Sequence, residues 1–188
     1  LIGLSGGGWQ WIQSTGAVGS IRTVLGSATG GLQHVHGKGY IETILSGAKF
    51  VQTIYSPATG YITSAAGGKQ NVAAGGTGTI LTGLGGVQSV NGLGIISSHN
   101  AGYQYILNGG VGTAVIVNGG TQSVLSGGKG TVNSFMSGMQ AIAAGGNGVI
   151  NYSFAQKATA NNNGMLTVQY GNGAQGQSVI NMSGSVSG

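Results

Sequence analysis

The chain has 188 residues, 42 of them glycine, with one acid (Glu42), six bases, one proline and no cysteine. A single carboxylate cannot build a paired-acid glycosidase, absent aspartate removes a calcium β-roll, and absent cysteine removes disulfides and thiolate zinc sites. The net charge of +5 arises from missing acids and not from a cluster of bases, so neither an enzyme nor a nucleic-acid surface is expected, and no cofactor or metal is implied.

Hydrophobic residues make up 40% of the chain and mean hydropathy is +0.21, too apolar for a disordered segment. The lone Pro57 excludes collagen. Each glycine inside a helix costs about 1 kcal/mol, so this glycine density leaves strands and turns. No apolar run reaches the ~18 residues of a membrane span. The sequence starts at Leu1 and not at Met, as a processed product or a fragment would.

Glutamine marks a repeat. Gln10, Gln33, Gln52, Gln70, Gln88, Gln104, Gln122 and Gln140 follow one another at gaps of 23, 19, 18, 18, 16, 18 and 18 residues. Glycine stands two positions before each one, except at Phe50, and Ile or Val stands two positions after. Between these half-units lies a second, G-x-[IV], whose apolar ladder is read as Ile21, Ile41, Ile62, Ile80, Ile96, Val115, Val132 and Ile150. A unit this short cannot bury its own apolar face, but stacked units can. The prediction is an all-β fold, a β-solenoid (β-helix) of about ten rungs with a repeat of about 18 residues, built as strand, glycine-rich turn, strand, glycine-rich turn. At ~4.8 Å per rung its length is roughly 48 Å. Regular rungs are expected over 5–150, and irregular terminal rungs of the same single domain (1–188) over 151–188, where Asn161-Asn162-Asn163-Gly164 interrupts the pattern.

Strand alternation puts Lys69 and Asn71 on one face and Gln70 and Val72 on the other. Lysine belongs outside, so the glutamines face inward or lie at the turn. They bond either to one another across rungs or to the backbone of their own turns. The outward positions flanking them hold Trp9, Trp11, Leu32, Val51, Val87, Tyr103, Tyr105 and Met139, an apolar stripe expected to be a contact surface unless a loop or the C-terminal segment covers it. His34 and His36 share a strand face and are expected to be a solvated pair. With so few titrating groups, the fold is expected to be insensitive to pH and to survive strong acid.

The run Val117-Asn118-Gly119-Gly120-Thr121-Gln122-Ser123-Val124-Leu125-Ser126-Gly127-Gly128-Lys129-Gly130-Thr131-Val132 resembles the autotransporter passenger strand-loop-strand repeat of self-associating bacterial adhesins. The resemblance covers roughly 5–150. It implies a secreted β-helical passenger on a Gram-negative surface that mediates cell aggregation and biofilm adhesion. The expected function is therefore an extracellular or cell-surface structural protein whose partner is itself, as a homo-oligomer or fibre. A free filament subunit is the second form, because neither end shows a polar capping repeat. A carbohydrate-binding module is the third, with cell-surface glycans held on Trp9, Trp11, Tyr103 and Tyr105.

Overall fold

The structure, a computed structural model, describes residues 2–4, 8–24, 30–151, 153–168, 179–182 and 185–187. These residues form seventeen strands and no helix, and every strand pairing is parallel. The chain is a parallel β-solenoid. Each rung contributes one strand to a glutamine-bearing sheet, such as Gly31–Val35, Phe50–Ile54 and Lys69–Val72, and one to a glycine-bearing sheet, such as Lys38–Ile44 and Thr59–Ala65.

Four strands of 14 residues, Thr77–Val90, Leu93–Ile106, Val111–Val124 and Lys129–Ile142, run through both sheets. There the second turn of the predicted unit is a bend within a continuous strand. Register shifts at Ala101 and Asn118 mark it, the bulge geometry that lets a strand turn a corner without losing its ladder. Parallel strands continue beyond 151, through Ser153–Asn162 and Met165–Val168.

The two sheets meet face to face because their inward residues complement each other in size. Gln33, Gln52, Gln70, Gln88, Gln104, Gln122 and Gln140 are fully buried. Each donates its Nε2–H to the Oε1 of the glutamine one rung earlier, Gln10 being the first acceptor, at 2.5–2.8 Å. Opposite them stand Gly39, Gly60, Gly78 and Gly94, where a Cβ would lie 2.7–2.8 Å from a glutamine Oε1. The Ile or Val two residues after each glutamine would lie closer still, so the amide and its aliphatic neighbour together leave room only for glycine. Of the two alternatives, the glutamine-to-glutamine bond is the one formed. The backbone contact also exists, but it reaches the carbonyls of Gly39, Gly60, Gly78 and Gly94 across the core at 3.1–3.4 Å and not the glutamine's own turn.

The apolar ladder needs one correction. The register runs Ile96–Ala114–Val132, so Ala114 and not Val115 takes the inward place. Parity counted from Gly112 decides this, and Ala114 is fully buried while Val115 is half-buried.

Turn length accounts for the uneven gaps. Four-residue turns such as Leu107–Gly110 close with an N–H···O=C bond of 2.9 Å, and Gly109, at φ 77°, occupies the left-handed position that a type II turn demands. Among the described residues, three turns are two residues shorter: His36-Gly37, Asn91-Gly92 and Asn163-Gly164. The 16-residue gap between Gln88 and Gln104 is the Asn91-Gly92 turn.

Candidate interaction face

The outward side of the glutamine sheet carries the stripe. Register places Trp9, Leu32, Val51, Lys69, Val87, Tyr103, Thr121 and Met139 in one column. Trp11 and Tyr105 lie in the next, which runs Trp11, His34, Thr53, Asn71, Ser89, Tyr105, Ser123. Trp9 is 71%, Trp11 54% and Tyr103 47% exposed, whereas Leu32, Val51, Val87, Tyr105 and Met139 are half-buried between their neighbours. The structure thus assembles the eight residues into two adjacent columns and interrupts the apolar one at Lys69 and Thr121. Exposed apolar side chains also occur elsewhere, at Val18, Leu93 and Val111 on the glycine sheet and at Leu84 and Met136 on corners.

The four aromatic residues assigned to carbohydrate do not converge. Trp9 and Tyr103 are five rungs apart, about 24 Å at ~4.8 Å per rung. Two separate aromatic groups result. Tyr103 and Tyr105 stack on each other at 5.6 Å between centroids. Trp11 stacks on His34 at 4.4 Å, His36 on Tyr55 at 4.4 Å, and His34 Nδ1 shares a hydrogen bond with the Tyr55 hydroxyl at 3.0 Å. The expected solvated pair is therefore corrected: His34 and His36 are half-buried members of an aromatic stack. Tyr55 is the partner that sequence reasoning missed, although adding the 19-residue gap to His36 lands on it. Among the described residues no three His, Cys, Asp or Glu side chains converge on one point, and no helix is long and apolar enough to cross a membrane.

Charge is segregated. Glu42, the one acid, sits on the glycine sheet 3.6 Å from Arg22, with both side chains exposed and the pair worth little to stability. Lys69 is left without an acidic partner on the other face.

His99 is the unexpected polar residue. It occupies the core column Val24, Ile44, Ala65, Gly83, His99, Val117, Phe135 and is 1% exposed. Neither ring nitrogen has a hydrogen-bond partner. Burial lowers its pKa, and the nearby Gly102 backbone offsets this only in part. This sets a specific pH dependence against the expectation of pH insensitivity. The folded state holds a neutral imidazole, so the stability it contributes is complete above the unfolded value of about 6.5 and is lost as pH falls below it. Urea midpoints should drop between pH 7.5 and pH 5, and His99→Leu, apolar like its column, should flatten that dependence. Equal midpoints for the wild-type chain at the two pH values would refute the assignment.

Fold and face together define a class: a parallel β-solenoid repeat protein with a nearly uncharged, aromatic-bearing flank. No protein-family model matches the chain, and no curated protein or solved structure is significantly similar to it.

Proposed function

We propose that the chain is an extracellular, adhesive structural solenoid that associates with copies of itself and catalyses nothing. One observation carries this reading: six apolar side chains, from Trp9 to Met139, stand in register along one flank, with Trp9 71% exposed and Trp11 of the adjacent column 54% exposed. A monomer that leaves such a column in water gains by covering it. The resemblance to self-associating autotransporter passengers supports the same reading and adds the bacterial surface as its place. A free filament subunit meets the same physical description.

The contacts would be apolar, because the chain has one acid to offer its six bases. Salt at 1 M shrinks the Debye length to about 3 Å and dissolves charge-mediated assemblies. Sedimentation velocity should show concentration-dependent association that 1 M sodium chloride leaves unchanged or strengthens. A single monomer boundary at every concentration would count against the proposal, and dissociation by salt would count against its apolar basis.

A further inference from the structure

The short turns have a consequence beyond spacing. Asn91 N–H bonds to Val72 O and Leu93 N–H to Gly76 O, so two residues span what four span in the rung below, from Ala73 to Gly76. Gly92 is pulled so far inward that a Cβ there would strike the carbonyls of Ala73 and Gly76. The four-residue turns on either side, at Ala73–Gly76 and Leu107–Gly110, project past it. A notch opens between them on the outward side of the glutamine sheet, with a volume of about 420 Å³, within the range of ligand clefts.

What lines the notch distinguishes it from its two counterparts. At His36-Gly37 the stacked ring of Tyr55 lies against His36. Beside Asn163-Gly164 the hollow is smaller, about 230 Å³, and of its lining only Ser123 and Asn163 carry polar side chains, among Leu125, Ala141 and Ala143. The notch at Asn91 is lined by Val72, Ala73 and Leu107 together with six side chains that carry polar atoms, Thr53, Lys69, Asn71, Ser89, Asn91 and Tyr105. None of these six side chains makes a hydrogen bond to another described residue, whereas elsewhere Ser137 is bonded to Asn118 and Asn151 to Asn133. Free hydroxyl and amide groups, one ring face and one uncompensated ammonium thus converge on a single hollow.

We propose that this notch binds a carboxylated oligosaccharide about three sugar rings long. Hydroxyls and amides at Thr53, Asn71, Ser89 and Asn91 match the alternating donors and acceptors of sugar hydroxyls. Tyr105, propped by Tyr103, offers the flat apolar surface on which the C–H face of a pyranose stacks. Lys69 pairs with the carboxylate. The dimension fits too. Thr53, Asn71, Ser89 and Tyr105 sit on successive rungs, so the row spans roughly 14 Å at the ~4.8 Å parallel spacing, close to the rise of an extended glycan per ring. This site is independent of self-association, since a soluble trimer can occupy it on one molecule.

Isothermal titration calorimetry with β-1,4-linked trimannuronate and its neutral counterpart, mannotriose, tests it. The carboxylated trimer should bind more tightly. Tyr105→Ala should weaken both trimers about tenfold. Lys69→Gln should weaken only trimannuronate, about fivefold, and so remove the preference. Inserting Ala-Gly between Asn91 and Gly92 restores the four-residue turn of the neighbouring rungs and fills the notch while leaving Tyr105 and Lys69 in place. That variant should keep its circular dichroism spectrum and lose binding. Absence of trimannuronate binding, equal affinity for the two trimers, or binding that survives the insertion in a folded variant overturns the proposal. So does single-stranded RNA that binds here and is not displaced by trimannuronate. If the insertion unfolds the chain, the two point variants decide. Sedimentation of the same samples reports on self-association separately.

Discussion

Gln88→Met should destabilise the solenoid by about 3 kcal/mol or more, and Gln140→Met by only about 1 kcal/mol, although both remove a fully buried glutamine from the same ladder. Methionine approximates glutamine in volume and adapts its shape, so neither change leaves a large cavity and the polar terms decide. Gln88 gives its Nε2–H to Gln70 Oε1 at 2.7 Å and receives one from Gln104 at 2.7 Å. Removing it breaks both of these ladder bonds, each worth roughly 0.5–1.5 kcal/mol net, together with the longer contact to the Gly78 carbonyl, and strands Gln70 Oε1 in the core for a further ~1–3 kcal/mol. Gln140 stands at the ladder's end. The next residue in register is Ala160, and Gln140 Oε1 is already buried without a partner. Its loss exchanges that orphan for Gln122 Oε1, so only one net bond disappears. Urea denaturation of the two variants beside the wild type measures the contrast. Equal destabilisation would mean that the glutamines act by volume and that the amide chain adds nothing.

The same ladder shows how far the sequence can be read. Lys69 next to Gln70 was enough to turn the glutamines inward, because a lysine cannot be buried cheaply and alternation does the rest. The bonding mode could not be chosen, because it depends on how closely Gly39, Gly60 and Gly78 let the opposite sheet approach. At Ala114 parity from Gly112 fixes the inward place, although the adjacent Val115 is the more hydrophobic residue. His99 was legible as a residue but not as a core position, since inward alternation breaks between Ile96 and His99, which are three residues apart and both buried. The stripe was read from its apolar members alone, and register adds Lys69 and Thr121 to it. The notch was present as a number, the 16-residue gap. Its meaning depends on the turns above and below, which a one-dimensional spacing does not show. Tyr55 stands three residues after Gln52 as His36 stands three after Gln33, so the offset between them was legible, but His36 lies in a two-residue turn and Tyr55 in a four-residue one, and spacing does not show that the two rings meet.

Trp9→Lys with Trp11→Lys should weaken self-association about a thousandfold while leaving the fold intact. The two rings are the most exposed large apolar side chains of the described face, at 71% and 54%, and they lie outside the notch, five rungs from Tyr105 and two from Thr53 at its near edge. Aromatic anchors at an interface commonly contribute about 2 kcal/mol or more each, and 4 kcal/mol corresponds to nearly three decades in Kd. Lysine goes further than alanine. Wherever two copies meet through this column it introduces like charges, and no acid on the face can neutralise them, because Glu42 is on the other sheet beside Arg22. Folding should tolerate the change: both side chains point outward, and Gln10 and Ile12, the inward residues of the same strand, are untouched. The control is Val18→Lys on the glycine sheet, 65% exposed and outside the column, which should associate as the wild type does. Sedimentation velocity at matched concentrations separates the cases. If the Trp9, Trp11 variant associates undiminished, the flank is not the contact. If Val18→Lys abolishes association as well, charge anywhere on the chain suffices, and the column holds no special place in assembly.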